Sequence, residues 1–289
     1  MKFVKPTVLF VACAFFQIGA AQDSEETITH ELRFDSNSAK NLLHVQNVNG
    51  SIDIEGYNGT TIKVEVKKKI WARSRDMVAL GKEEIGVAIE RKAGELFVFL
   101  DSPWTYFDLD KGRFSHRENY NYNDRPKYRY HLDFTIKVPK NVGLQVGTMN
   151  DGDIHIKDVQ GHLMRVNNLN GAITLENIAG KTDVNALNRN IDISYYRNPT
   201  EDCSYHSLNG DINVVFKDDL NADVSFKSMN GDLYTNYDVS MTQTKISQKE
   251  VGRRKGVKYK VDSNESFRIG KGGVQLDFNL LNGDAFVKK

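Results

Sequence analysis

The sequence predicts an all-β chain wound as a β-solenoid, similar to a parallel β-helix, with coils of roughly 20 residues and an irregular N-terminal cap. Three observations predict it. One pattern, apolar-x-apolar-x-x-apolar-Asn-Gly-x-apolar-x-apolar, recurs seven times with small departures, as in LHVQNVNGSIDI (43–54), MRVNNLNGAITL (164–175) and CSYHSLNGDINV (203–214). Each half of it alternates with period two, as a strand buried on one face does. The asparagines at 150, 170, 188, 209 and 230 follow one another in steps of 20, 18, 21 and 21 residues, a period that suits stacked coils.

An antiparallel meander or sandwich is the alternative, because Asn-Gly between alternating runs is also a strong hairpin signal. The solenoid accounts for one further residue. An apolar side chain precedes each Asn-Gly site (Val48, Met149, Leu169, Leu187, Leu208, Met229, Leu281). It would be wasted at a hairpin tip and is expected to point inward at a solenoid corner. Asn-Gly suits positive φ, so the chain is expected to turn there. A second corner is expected near Tyr57, Val159, Ile178 and Tyr196, and Asp151 reads as a one-residue insertion in the copy 144–156.

In chain order, residues 1–21 read as a secretory signal peptide: Lys2 and Lys5, an apolar run from Val8 to Phe16, and the small residues Gly19-Ala20-Ala21. Residues 22–142 are expected to hold the first coil and the cap, which shields the open end of the stack. Within it, TIKVEVKKKI alternates as a strand, and ARSRDMVALGKEEIG suits a short helix with Met77, Leu80 and Ile85 on one side. GVAIERKAGELFVFL reads as two strands about Ala93-Gly94, and a long strand alternates from Tyr128 to Val138 until Pro139 stops it. Residues 143–289 are the repeat solenoid, continuous with the cap. The basic run QKEVGRRKGVKYK (248–260) reads as a solvated loop, and GKGG (270–273) as a flexible approach to the last coil.

The LNG-D-I-x-V units, the strand FTIKVPKNVGLQV and the terminal GKGGVQLDFNLLNGD resemble the candidate-adhesin domains of secreted bacterial proteins, a β-strand repeat family of unknown function. The similarity spans roughly Phe34 to the C-terminus. It implies a β-solenoid and an adhesin-like role, and it brings no catalytic residue with it. The chain departs from the pattern at Arg189, which replaces a corner glycine, and over 68–130 and 236–270, where the period is lost.

Chemistry-bearing groups are sparse. With the leader gone, the 39 Lys and Arg fall to 37 against 38 Asp and Glu, so no charge excess draws the chain to nucleic acid. No second apolar run approaches the roughly 18 residues of a membrane span. Cys13 leaves with the leader and Cys203 sits at an inward repeat position, which excludes an intramolecular disulfide and a thiol nucleophile. The histidines lack metal-ligand spacing, and no cofactor motif occurs. Asp153, Asp211, Asp232 and Asp284 follow the corners; Asp211 and Asp232 are expected to stack one strand apart, as solvated carboxylates or as a calcium site.

The segment 101–130 interleaves aromatic rings with charges. Trp104, Tyr106, Phe107, Tyr120 and Tyr122 are its candidate ligand-binding residues, since rings beside polar groups stack on sugars or partner side chains. Cross-strand packing of the same rings is the competing reading. The function expected is therefore a secreted, periplasmic or cell-surface, non-enzymatic β-solenoid that contacts a cell-surface protein or glycan. The alternatives are a carbohydrate-active enzyme and an envelope scaffold or regulatory partner.

Overall fold

The structure, a computed structural model, describes residues 22–36, 38–116, 127–241, 246–250, 257–261 and 265–289. The cap segment supplies β1 (Gln22–Leu32), β2 (Leu42–Gln46), β3 (Ile52–Tyr57), β4 (Ile62–Ala72), α1 (Arg75–Glu84), β5 (Gly86–Lys92), β6 (Glu95–Asp101), β7 (Thr105–Asp108), β8 (Arg113–His116) and β9 (Tyr128–Pro139). The repeats follow as β10 (Gly143–Thr148), β11 (Ile154–Lys157), β12 (Leu163–Asn168), β13 (Ile173–Ile178), β14 (Lys181–Ala186), β15 (Ile191–Tyr195), β16 (Cys203–Asn209) and β17 (Ile212–Val215). The C-terminal part holds β18 (Ala222–Lys227), β19 (Leu233–Thr235), β20 (Val239–Met241), β21 (Ile246–Glu250), β22 (Val257–Val261), β23 (Glu265–Ile269), β24 (Val274–Asn282) and β25 (Ala285–Lys288).

Each repeat gives one strand to each of two large sheets, and each strand pairs in parallel with its counterpart in the next coil. One sheet runs β1-β4-β9-β3-β11-β13-β15-β17-β25-β19; the other runs β20-β23-β18-β24-β16-β14-β12-β10-β2-β6-β5. Asn-Gly therefore marks a solenoid corner and the meander does not form. Like stacks on like: Val45, Val146, Val166, Val184, Tyr205, Phe278 and Phe226 make one inward column. Ile52, Ile154, Ile173, Ile191, Ile212, Ala285 and Leu233 make another from the facing sheet. Where aromatics enter these columns they stack, as Tyr205 on Phe278 at 4.7 Å between ring centroids.

The corner asparagines do not take positive φ. Their side chains instead form a ladder along the stack. Each amide donates to the Oδ1 of its neighbour, in the order Asn230, Asn282, Asn209, Asn188, Asn170, Asn150, Asn49, with distances from 2.8 to 3.1 Å. The glycine beside them serves close approach: a Cβ on Gly171 would lie 2.0 Å from the Gly152 carbonyl oxygen. At Gly283 the backbone also requires φ of +130°. Asp151 has φ of +53°, which fits the inserted residue.

The cap lengthens both sheets. β4 lies between β1 and β9, antiparallel to both, and β9 then pairs in parallel with β3. α1 starts at Ser74, whose hydroxyl accepts from the Met77 N–H, and buries Val78 and Gly81. Lys68 sits on the inward side of β4; its Nζ donates to the Lys82 and Ile85 carbonyls at the end of α1 and pairs with Glu26 at 2.6 Å. The hairpin β7–β8 lies over the outer side of β6. Part of the basic run read as a loop is strand: β21 and β22 pair antiparallel.

Two expectations fail for topological reasons. The last coil, β24 and β25, does not follow β18 and β19 in space. It lies between that coil and the β16–β17 coil. β23 runs antiparallel along one side of β18, and the chain turns through GKGG to return along the other side as β24. At the second corner, Tyr195 and not Tyr196 stacks on Ile178, because the register shifts between Leu175 and Ile178. Tyr196 is exposed.

Asn188 donates one ladder bond and accepts another. Asn188→Ala is expected to cost about 1–2 kcal/mol, since two amide partners are left unmatched at a half-open corner; urea denaturation measures it. Deleting residues 274–289 removes a coil from inside the stack. Amide exchange in β18 and β19 should then rise to unprotected rates, while β10 to β15 keep most of their protection.

Candidate functional site

The corner builds a surface feature along the length of the stack. Alternation holds through each strand end, so the residue before the apolar position faces inward: Asn47, Thr148, Asn168, Ala186, Ser207 and Leu280 are all buried. Most are small or polar, and they satisfy backbone groups at the turn. Asn168 Nδ2 donates to the Gly152 and Ala172 carbonyls, the Gly171 N–H donates to Asn168 Oδ1, and Thr148 Oγ1 donates to the Gly50 carbonyl.

The apolar residues that follow therefore point outward, contrary to the inward placement expected of them. Met149 is 39% exposed, Leu169 42%, Leu208 37% and Met229 74%. With Leu187 and Leu281 they form one column on consecutive coils. It walls a groove of about 990 Å³ that crosses from β2 to β18. The opposite wall carries Gln46, Asn167, Asn185, His206, Asn279 and Lys227, two residues earlier on each strand. Asn185 Nδ2 donates to Asn167 Oδ1 at 3.0 Å, so this wall is partly ordered by its own amides. Among the described residues, Lys227 is the one charged residue lining the groove and no carboxylate lines it. The sequence signal for the column was the small or polar residue preceding it, which already fills the inward position.

A second hollow of about 540 Å³ adjoins the cap end, sharing Met149 with the groove. Trp71, Trp104, Phe114, Arg129 and Tyr130 border it, along with corner residues Asn49, Asn150 and Asp151. Trp104 lies 6.1 Å from both Tyr128 and Tyr130 between ring centroids. Tyr106 is exposed on β7. Phe107, next to it, is buried against Phe99 at 4.8 Å and Phe114 at 5.3 Å, and offers no surface to a ligand. Tyr120 and Tyr122 lie outside the described residues, as do residues 1–21, the segment read from sequence as a leader.

Under the β7–β8 hairpin, His44 is buried against Phe97 at 4.1 Å, with Nε2 3.0 Å from Glu95 Oε2. Its Nδ1 has no hydrogen-bond partner. Burial pushes the imidazole below its ordinary value of 6.5, and the Glu95 carboxylate opposes this without cancelling it.

Asp211 and Asp232 are not neighbours, because Asp284 of the inserted coil stands between them. Two of the three carboxylates accept a backbone N–H from the adjacent coil: Asp284 Oδ1 from Asp232, and Asp211 Oδ1 from Asp284, both at 2.9 Å. These oxygens serve the corner. Among the described residues no group of three or more His, Cys, Asp or Glu is placed to hold a metal ion. Burial raises the Cys203 thiol, which packs beside the hydrogen-bonded Tyr195 and Tyr205 hydroxyls, 2.7 Å apart. Among the described residues no helix is long and apolar enough to cross a membrane.

Residues 140–265 match the family model described as Toastrack DUF4097. No curated protein matches the chain. Among solved structures, the chain is similar to a candidate cell adhesion protein from Clostridium sporogenes, at 11% identity over 92% of this chain and 99% of that one, with a TM-score of 0.41. A candidate adhesin from Bacteroides fragilis matches at 11% identity over 92% and 97% of the two chains, with a TM-score of 0.38. A candidate lipid binding protein from Parabacteroides distasonis matches at 8% identity over 91% and 96%, with a TM-score of 0.34. The Toastrack DUF4097 match over residues 140–265 bears out the resemblance read from the repeat units.

His44 is expected to make stability depend on pH. The folded state holds the imidazole neutral at pH values where the unfolded chain already binds a proton, so stability is full above 6.5 and declines as pH falls through and below it. Thermal melts of the chain and of His44→Phe between pH 7.5 and 5.5 measure this; the variant should lose most of the slope.

Proposed function

We propose that this chain, whose repeat segment carries the Toastrack DUF4097 match, is a secreted, non-enzymatic, adhesin-like β-solenoid that acts by surface contact at the cell envelope. The observation that carries the reading is the exposed apolar column Met149, Leu169, Leu187, Leu208, Leu281 and Met229 beside a continuous groove. A line of large apolar side chains left in water is a cost a stable scaffold avoids unless a partner covers it. The leader-like pattern read in residues 1–21 supports export, and with Cys203 free and buried the fold relies on burial and backbone pairing. The aromatic hollow at the cap end, with Trp104 at its edge and Tyr106 nearby, is a second contact point on the same side of the reading.

The competing enzyme reading requires carboxylates gathered in the groove for acid–base work on a polysaccharide. Its walls carry amides and one lysine. The scaffold reading requires an envelope partner but no ligand in the groove.

The double variant Leu169→Asn/Leu208→Asn replaces half-exposed side chains, so its melting temperature should stay within about 4 °C of the parent. Saturable binding of the purified chain to isolated cell envelopes should fall at least about fivefold, given that two apolar anchors near the groove centre are lost. Tyr106→Ala should leave the fold intact and reduce the same binding more weakly. Unchanged binding by the double variant, or release of reducing ends from a polysaccharide panel, would count against the proposal.

A further inference from the structure

We infer that the groove takes one unbranched hydrocarbon chain bearing an anionic head, a long-chain carboxylate, with the tail along the Leu column and the carboxylate at Lys227. The inference rests on the groove being the contact face and names what fills it. Three observations support this occupant.

The first is size. The groove runs about 29 Å across the six coil steps from β2 to β18, at ~4.8 Å each, and its volume is about 990 Å³. It is a long open strip that seats a thin, extended occupant along its whole length more closely than an α-helix, whose diameter with side chains is about 10 Å. A second copy of this chain would bring an identical concave strip against this one and enclose a channel instead of filling it.

The second is bonding. The groove walls are side chains, and the coil edges that could pair with a strand are already used within the sheet. An extended peptide would therefore lay unpaired N–H and C=O groups along Leu169, Leu187 and Leu208. A polymethylene chain has no such groups. It also needs no register, which suits a wall of near-identical residues with adaptable methionines at its two ends, Met149 and Met229.

The third is charge. Among the described residues Lys227 is the only charged one lining the groove, and it stands on β18, at one end of it. Among the described residues it has no ion-pair partner, and the lining holds no acid to repel a carboxylate. A cation at one terminus of an otherwise uncharged apolar strip fits an amphiphile with a single charged end.

The experiment uses the purified full chain and displacement of cis-parinaric acid, a fluorescent unbranched carboxylate, by decanoate, dodecanoate, hexadecanoate and 1-hexadecanol. Hexadecanoate should bind one to one, with affinity rising about two- to fourfold per methylene across the series. Leu169→Asn/Leu208→Asn should weaken it at least about tenfold. Lys227→Glu should weaken hexadecanoate about tenfold and leave 1-hexadecanol within about twofold, with circular dichroism confirming that both variants are folded. Absence of hexadecanoate binding, or binding that the double variant leaves unchanged, overturns the inference. Equal hexadecanoate affinity in the parent and Lys227→Glu overturns the placement of the head. Sedimentation with phosphatidylglycerol vesicles without hexadecanoate binding assigns the strip to a membrane surface and overturns it too. If envelope binding by the parent persists and still depends on Leu169 and Leu208 while hexadecanoate fails, the contact-face reading stands and only its occupant is wrong.

Discussion

Stacking in register at one strand spacing governs this molecule. Every position of the repeat meets its own equivalent about 4.8 Å away in the coils above and below. A residue type that tolerates its own company is multiplied, and one that does not must be given a partner. The asparagine ladder is the favourable extreme: an amide donates from one side and accepts on the other, so a column of asparagines satisfies itself from Asn49 to Asn230. Glutamine has the same amide valence on a longer side chain, whereas serine and threonine must donate and accept through a single oxygen. Asparagine is thus selected at the corner for its hydrogen-bonding valence, while the adjacent glycine is selected for the backbone approach that stacking imposes.

Charged columns show the opposite case and its remedy. Stacked carboxylates would repel, so Asp211 and Asp284 each accept the backbone N–H of the next aspartate in the column, Asp284 and Asp232 respectively. On the outer side of the second large sheet, Arg165 spans Gln145 and Asp183, and Ser204 donates to Asp183. Inside the cap, Lys68 occupies an inward position of β4 only because the carbonyls ending α1 and the carboxylate of Glu26 receive its three donors. The ends of the stack are handled by antiparallel strands: β1 and β4 lengthen one sheet, β5 the other, and β20 and β23 lie beyond β18.

The same rule produces the groove. At the corner an apolar residue recurs in every copy, so a single choice in the repeat becomes a strip running along the molecule. Such a surface is suited to long, unbranched or repetitive partners. It is poorly suited to catalysis, where unlike groups must converge on one atom. The uniformity that makes the fold easy to extend also keeps it chemically bland.

The repeat pattern in the sequence pointed to stacked coils, their corners and several cap strands, because period-two alternation and a period near 20 residues are local properties that leave few ways to bury the apolar face; the choice against a meander and the two-sheet arrangement came from the structure. The helix at Arg75–Glu84 and the turn at Ala93-Gly94 were legible for the same reason. The facing of Leu169 and its equivalents was not. An apolar residue at a corner reads as core until the small residue before it, such as Thr148 or Ser207, is seen to fill that space. Nor could the sequence order reveal that β24 lies between β16 and β18. Repeats with the same pattern are interchangeable neighbours, so spatial order is decided by the chain path, here the antiparallel β23 and the turn through Gly270 to Gly273, and not by any preference written into the copies themselves.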